Sequence, residues 1–505
     1  MSAPTSRGGG AVAVSSLAVS SLPIPRPLAD LTIDLSHRGV RGDPEVRIGG
    51  LSYRSEDAGP GSLFFCVPGT TLDGHDFAAD AVSRGAVALV VERWLPVEVT
   101  QVLVPSVRRA MGPLSAAFYG RPAEAMTMVG VTGTNGKTTT TYVLESVFRA
   151  ADLVPGVVGT TGVRIDGRPI PFPRTTPEAP DLQRLLAEMR DEGVGAVAME
   201  VSSHGLDQHR VGGIQFACAV FTNLSQDHLD YHASMDEYFA AKARLFTPEM
   251  SARAVVNIDD AAGRRLLDLG LPTITFGIDD AAAEVRATDV RATHEGIAFR
   301  VDGLEMRSPL RGRFNVENCL AALATARALG ISDAVAVRGI EAVRGVPGRV
   351  EALEAGQDFL VMVDYAHTPD SLENVLRTAR SLTPSRVIVV FGCGGDRDRA
   401  KRPLMGRVAT SNADLTVITS DNPRTEDPDA IIREIASGAV GGGRYVIEPD
   451  RRAAIRTAVT EARTGDVVVI AGKGHETYQE LADRTIAFDD RTVAVEELRD
   501  LRGPR

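Results

Sequence analysis

The segment Gly130-Val131-Thr132-Gly133-Thr134-Asn135-Gly136-Lys137-Thr138-Thr139 sets glycines, a lysine and threonine hydroxyls directly behind an apolar run. Glycines let backbone N–H groups approach phosphate oxygens, and a helix starting there adds the positive end of its dipole. Lys137 is then placed for the β- and γ-phosphates of ATP, and Thr138 for Mg2+. A strict GxxxxGK(S/T) pattern needs glycine at position 131, where this chain has Val131 and instead supplies Gly133 close to Gly136. The loop is therefore a variant phosphate cradle, with Gly133, Thr134, Asn135, Gly136, Lys137, Thr138 and Thr139 as its nucleotide-binding residues.

Glu200 closes the apolar run 196–199, so its carboxylate is expected at the same sheet edge as the loop, where it suits Mg2+. His228, in the polar stretch 223–232, is a second metal candidate. His228 and His232 are also one helical turn apart, as in some zinc sites, but the HExxH pattern is absent. Lys242 lies in a helical stretch, residues 236–246, with Tyr238, Phe239, Leu245 and Phe246 three or four positions away, so it projects from the apolar face. Two readings stay open there. Burial favours a neutral amine that takes up CO2 as a carbamate and holds a second Mg2+; alternatively the stem packs on the core and the ammonium reaches water.

The elements that must position these groups read as α/β. A strand over 125–131 runs into the loop and a helix follows over about 137–149, the order of a phosphate-binding unit. Short apolar runs at 196–201 and 217–221 are expected as buried parallel strands, and an Ala-rich helix over 316–329 stops at Gly330. Before this unit, runs at 62–67 and 86–91 and a helical stretch at 77–84 suggest a small α/β domain ending near Tyr119-Gly120-Arg121-Pro122. After Val346-Pro347-Gly348, runs at 386–391, 415–419 and 467–471 each stop at a polar loop. Ligands of open α/β sheets sit beyond the carboxyl ends of the strands, so these three loops are expected to share one site.

The expected organisation is a disordered Ser/Gly/Ala-rich lead-in (1–24), an N-terminal α/β domain (25–123), a central P-loop-type parallel-sheet domain (124–346) and a C-terminal Rossmann-like domain (347–505). A formal charge of -11 argues against general attraction to nucleic acid or anionic membrane. Cys66, Cys218, Cys319 and Cys393 form no CxxC pair, and no run approaches a membrane span, so a reducing, cytoplasmic setting without stable membrane association is the default. A monomer is the working expectation.

Taken in order, Thr132 to Thr139, Met199-Glu200-Val201-Ser202-Ser203-His204-Gly205, Lys242, Gly348-Arg349 and Asp364-Tyr365-Ala366-His367 resemble the motifs of the Mur ligases of cell-wall precursor synthesis. The resemblance spans residues from about 50 to the C-terminus. Asp421-Asn422-Pro423-Arg424 with Gly472-Lys473-Gly474-His475-Glu476 resembles the signature of members that add diaminopimelate. It implies a uridine-nucleotide domain, a central ATPase and a C-terminal domain closing over the amino acid, in peptidoglycan synthesis and hence cell shape and division.

By matching positions, the resemblance assigns Ser202, Gln208, Arg210, Thr175 and Thr176 to UDP-N-acetylmuramoyl-L-alanyl-D-glutamate and makes Lys242 the carbamylated lysine. It assigns Asn318, Arg349 and Asp364 to the adenosine part of ATP, and Arg397, Arg424, Gly472 and Glu476 to diaminopimelate, alongside Asp421, Asn422 and Pro423 of the signature. Where the family often has Asp-Ser-Arg this chain has Arg54-Ser55-Glu56, so only Ser55 carries over. The implied reaction is attack of the D-Glu γ-carboxylate on ATP to give an acyl phosphate, which the diaminopimelate amine then displaces. Lys137, Glu200, Lys242 and His228 carry that chemistry, with Mg2+ at Thr138 and Glu200 and a second at Lys242 and His228. The distal carboxylate that lysine lacks is read by Arg424, with Arg397 beside it. A lysine-adding relative, a folylpolyglutamate synthase and a motor or regulatory P-loop NTPase are the rival readings.

Overall fold

The computed structural model describes residues 24–69 and 72–501, so nearly all of the lead-in expected over 1–24 lies outside the described residues. The chain forms two compact units. The first holds the described residues up to Ala125 together with Gly162–Gly193 and Gln208–Gly213; the second holds Met126–Thr161, Val194–Asp207 and the chain from Ile214 onward.

The first unit is built on strands β1 (Gly39–Arg41), β2 (Gly50–Ser52), β3 (Ser62–Phe65), β4 (Ala86–Val91) and β5 (Thr100–Leu103), in the order β1-β5-β4-β3-β2. Only β1 runs antiparallel to its neighbour. The central strands β3 and β4 are buried almost throughout, hence their unbroken apolar texture. The expected helical stretch at 77–84 is a 3-10 turn, Gly74–Phe77, leading into a helix at Ala78–Ser83. A longer helix, Val107–Phe118, escapes sequence reading because Gly112 and Pro113 stand in its middle. The fold explains the glycine: a Cβ at Gly112 would lie 2.4 Å from the Gly212 carbonyl oxygen, so helix and returning segment meet backbone to backbone.

The second unit contains two mainly parallel sheets. In one, β6 (Thr127–Thr132), β7 (Pro155–Gly159), β8 (Ala196–Glu200), β9 (Cys218–Phe221), β10 (Ala254–Asn257), β11 (Thr273–Gly277) and β12 (Val285–Arg286) lie in the order β7-β8-β6-β9-β10-β11-β12. All these pairs are parallel. The chain leaves β6 toward β7 and β8 on one side and returns to β9 on the other, which opens a crevice at the end of β6. Helices Lys137–Ala150, Phe314–Ala328 and Asp333–Ala342 cover this sheet with one apolar core. Gly330, at φ +77°, stops the second of them, and the Ile331 N–H bonds back to Ala326.

In the other sheet, β13 (Glu351–Leu353), β14 (Leu360–Asp364), β15 (Val387–Phe391), β16 (Leu415–Ile418), β17 (Arg444–Ile447) and β18 (Val467–Ala471) lie in the order β13-β14-β18-β15-β16-β17. Only β13 is antiparallel. The loops after β15, β16 and β18 therefore leave adjacent strands at one edge.

Candidate active site

Val131 is no loop residue. It pairs with Glu200 and Val220 in the middle of the sheet, and the strand runs on to Thr132, so the turn starts only at Gly133. Gly133 has φ +146°, and a Cβ there would sit 1.9 Å from Thr222 Oγ1. Gly136 has φ +86°, and its Cβ would sit 2.4 Å from Asn318 Oδ1. These two glycines are fixed by backbone conformation and by crowding. Behind the loop, the Thr134 and Asn135 N–H groups donate to the Asn223 carbonyl and side chain at 2.8 Å each, and Asn135 Nδ2 donates to Asp370 Oδ2 at 2.8 Å.

Lys137 starts the helix and folds its Nζ back onto the carbonyls of Gly133 (2.9 Å) and Thr134 (2.8 Å). Lys242 Nζ donates to that same Gly133 carbonyl at 2.8 Å and lies 4.4 Å from the Tyr238 ring centroid. The helix carrying it, Met235–Ala243, is shorter than expected over 236–246 and finishes as a 3-10 turn, Arg244–Phe246. Lys242 is only 1% exposed, which removes the reading in which its ammonium reaches water. Burial, and then the charge of Lys137, drive its amine well below the usual lysine range. Burial also lowers Lys137, against the pull of Glu200 and Asp227.

Glu200 ends β8 and is 1% exposed. Thr160 holds both its oxygens, through N–H at 2.9 Å and Oγ1 at 3.0 Å, and a Cβ at Gly159 would stand 2.4 Å from Oε1. Thr138 is buried, and its hydroxyl accepts from Arg349 Nη2 at 3.0 Å. Asn318 Nδ2 donates to Asn315 Oδ1 at 2.8 Å. Asp364 accepts from the Val350 N–H at 2.7 Å, its carboxyl pushed up by burial against the charge of Arg349. Asn135, Gly136, Thr138, Thr139, Asn318, Arg349 and Asp364 all border one cavity of about 500 Å3, within the usual range for a small-molecule site.

His228 sits at φ +55° beside Asp227, Nε2 to Oδ2 3.3 Å. Burial first, partly opposed by Asp227, brings its imidazole down to about 3, so it is neutral at physiological pH. His228 and His232 share a single turn and no helix, and His232 Nε2 lies 3.0 Å from Ser203 Oγ. Among the described residues no group of three His, Cys, Asp or Glu side chains is arranged for a metal. Mg2+ needs no such cage, since it is held by one or two carboxylates plus substrate phosphates.

The three loops of the second sheet interlock as expected. Asn422 Nδ2 donates to Glu476 Oε2 at 2.9 Å, and Lys473 Nζ donates to Asn422 Oδ1 (2.9 Å) and Glu476 Oε2 (3.0 Å). A Cβ on Gly395 would lie 1.9 Å from the Pro423 carbonyl, and one on Gly472 2.5 Å from Asp421 Oδ2. Arg424, at φ +51°, donates through Nε to Glu480 Oε2 at 2.9 Å and through Nη1 to the Gly395 carbonyl at 2.8 Å. Arg397 is exposed and donates to the neighbouring Asp396 carbonyl at 2.8 Å; it and Arg424 flank Gly394.

In the first unit, Arg210 donates to the Thr176 carbonyl (3.1 Å) and Gln208 Oε1 (2.7 Å), and its Nε lies 3.2 Å from Glu178 Oε1. Arg108 and Arg174 reach the same buried Glu178. Thr175 is half-buried next to Thr176. Ser55 opens a 3-10 turn and hydrogen-bonds Asp80. Ser202 belongs to the second unit, where its Oγ caps the Gly205 N–H at 3.0 Å.

Sequence reading missed Asp227, which gathers His228, His367 (3.7 Å) and Lys401 (3.5 Å) from separate elements. Burial raises its carboxyl, but the His367 hydrogen bond, with the neighbouring imidazoles and Lys401, brings it well below the usual range. A signal for Lys401 was present. Of the chain's 55 Lys and Arg residues only Lys137, Lys242, Lys401 and Lys473 are lysine. Lys242, Lys401 and Lys473 are buried, Lys137 lies half-buried under its loop, and all four stand in the contacts described above.

Three family models match the chain: "Mur ligase family, catalytic domain" over residues 47–119, "Mur ligase middle domain" over 131–326 and "Mur ligase, glutamate ligase domain" over 348–474. The UDP-N-acetylmuramoyl-L-alanyl-D-glutamate--2,6-diaminopimelate ligase of Geobacillus thermodenitrificans (strain NG80-2) is 50% identical over 472 residues, covering 91% of this chain and 95% of the relative. The ligase of the same name from Solibacter usitatus (strain Ellin6076) is 46% identical over 492 residues, 95% of this chain and 97% of the relative. A solved structure of a UDP-N-acetylmuramoyl-L-alanyl-D-glutamate--2,6-diaminopimelate ligase, 32% identical, superposes with a TM-score of 0.68 over 95% of this chain and 100% of that one. Site geometry and similarity over nearly the whole length agree, and the chain belongs to the Mur ligase family.

Proposed function

We propose that this chain joins diaminopimelate to UDP-N-acetylmuramoyl-L-alanyl-D-glutamate at the expense of ATP, through an acyl phosphate, as a step of peptidoglycan precursor synthesis. The observation that carries the reading is the pairing, within one unit, of a lysine-lined phosphate loop with the Asp421–Arg424 turn and its guanidinium. Relatives of that printed activity, 43–50% identical over most of the chain, support it.

In this reading the loop N–H groups and Lys137 bind the β- and γ-phosphates, and Asn318, Arg349 and Asp364 hold the adenosine. Thr138 and Glu200 suit one Mg2+, and a carbamate on Lys242 with neutral His228 suits a second; Mg2+ would offset the repulsion between the triphosphate and the incoming carboxylate. Lys242 fits this role because burial and Lys137 favour its neutral amine, the form that reacts with CO2. Isotope-labelled bicarbonate should give a carbamate carbon signal in the parent and none in Lys242→Ala. Ser55, Thr175, Thr176, Ser202, Gln208 and Arg210 bind the UDP-linked dipeptide, whose D-Glu γ-carboxylate takes the γ-phosphoryl group. Asp421, Asn422, Pro423, Arg424, Gly472 and Glu476, with Arg397, hold the diaminopimelate whose amine displaces phosphate.

We place the domain boundaries near residues 123 and 346, the protein in the cytoplasm and the working form as a monomer. Four free, buried cysteines agree with a reducing compartment, and among the described residues no helix is long and apolar enough to cross a membrane. The test is phosphate release from ATP with the UDP-linked dipeptide and, in parallel, lysine, meso-diaminopimelate and LL-diaminopimelate. Release only with dipeptide and a diaminopimelate isomer is expected; release with lysine alone, or without either substrate, removes the reading.

A further inference from the structure

Thr138 and Glu200, the hard oxygen donors that suit the first Mg2+, stand at the first sheet of the second unit, yet both are reached by residues that belong to the second sheet. Arg349, just before β13, donates to the Thr138 hydroxyl at 3.0 Å. His475, in the loop after β18, lies 3.2 Å through Nε2 from the Thr160 carbonyl. Thr160, just after β7, is the residue that grips both Glu200 oxygens, Oε1 through its N–H and Oε2 through its hydroxyl. A carbonyl only accepts, so Nε2 carries the ring proton. Pinned at its carbonyl and bonded to Glu200 through its N–H, Thr160 is fixed about its backbone, and its hydroxyl is aimed with it.

Nδ1 of the same ring is buried and has no hydrogen-bond partner among the described residues. Burial, and then the charge of Arg349, bring the imidazole down to about 4, so the ring is neutral at physiological pH and Nδ1 is a bare acceptor. A buried acceptor without a partner costs stability, so fold stability does not account for a histidine here; a donor to Thr160 does. Neighbours set the ring's place. A Cβ on Gly348 would lie 2.2 Å from the His475 backbone nitrogen, and one on Gly474 2.7 Å from Tyr365 Cβ. The Tyr365 ring supports both reaching side chains, 5.3 Å from the His475 ring and 4.6 Å from the Arg349 guanidinium.

Resting on the proposed reaction, we propose that His475 is a positioning residue for the Mg2+ seat: through Thr160 it holds the Glu200 carboxylate in the orientation that receives the cation. The seat is then complete only while the loop after β18 lies against the first sheet. That loop also carries Gly472 and Glu476, so ATP is committed where the place for the amine is already assembled. A detached loop leaves an incomplete Mg2+ seat instead of an idling ATPase.

The test measures, by calorimetry on the full chain, how much Mg2+ tightens binding of the non-hydrolysable analogue β,γ-imido-ATP, as the ratio of Kd in EDTA to Kd in saturating Mg2+. No turnover enters this ratio. His475→Leu is expected to lower it by about 10-fold, the worth of a residue that orients a metal ligand, while Kd in EDTA stays at the parent value. Thr160→Val should lower the ratio in the same way. His475→Gln, which restores an N–H donor, should keep most of it. A ratio equal in parent and His475→Leu overturns the assignment, as does a His475→Gln protein no better than His475→Leu. A parent whose nucleotide affinity ignores Mg2+ overturns instead the Mg2+-dependent reaction on which the assignment rests.

Discussion

The two halves of the candidate site treat positive charge in opposite ways. Around the phosphate loop the amines rest on neutral carbonyls: Lys137 and Lys242 converge on Gly133, and Arg349 donates to a threonine hydroxyl. At the edge of the second sheet the cations rest on carboxylates: Arg424 on Glu480, Lys473 on Glu476, Arg451 on Asp490, and Arg402 on Glu426 and Glu434. The first arrangement leaves charge unspent in a buried place, a seat for a polyanion. The second is nearly neutral and suits a zwitterion. A low effective dielectric magnifies both effects, so the contrast governs which ligand each half accepts.

The sharpest way to break the contrast is to remove a lysine from the first half. Lys242→Ala should lower kcat by on the order of 1,000-fold, since it takes away the carbamate that would hold the second Mg2+ beside the transferring phosphoryl group. A steady-state assay that finds parent-like turnover would detach Lys242 from the chemistry. Next in size, Arg424→Ala should lower kcat/KM for diaminopimelate by on the order of 100-fold and leave ATP binding near the parent value. Equal loss for both ligands would mean that the two halves are not separate seats.

The smallest effect sharpens the picture of the nucleotide cavity. Glu317 borders it, and burial, with help from Asp259 and against Arg313, pushes its carboxyl up to about 7. A carboxyl raised on folding contributes stability below its unfolded value, and that contribution is lost as pH rises through about 7. Thermal unfolding between pH 4.5 and 8 should therefore show a decline that Glu317→Gln flattens; superimposable profiles would deny Glu317 its unusual acidity.

Much of this was legible in the sequence because the responsible signals are local. Buried parallel strands give unbroken apolar runs, and their polar stops mark the sheet edge, which located Lys137, Glu200 and the 421–424 and 472–476 loops. Lys242 was legible as a charge on an apolar face, but its partner Gly133 O lies 109 residues away, so only the fold decided between its two readings. Asp227 and Glu480 were illegible for a similar reason: each is an ordinary acidic residue until tertiary packing supplies its cations. The helix Val107–Phe118 was hidden by Gly112, whose purpose appears only when Gly212 is set against it. Nothing local shows that Gly162–Gly193 and Gln208–Gly213 fold with the first unit.

The scarcity of lysine has a practical consequence. Because arginine supplies nearly every other cation, the ε-amines of this protein are confined to Lys137, Lys242, Lys401 and Lys473. An amine-selective acylating reagent thus finds, apart from the terminal amine, only nucleophiles lodged in the working parts. Its rate of incorporation becomes a clock for how often those parts open to solvent, and protection of individual lysines by nucleotide or amino acid becomes a footprint of occupancy that needs no engineered label.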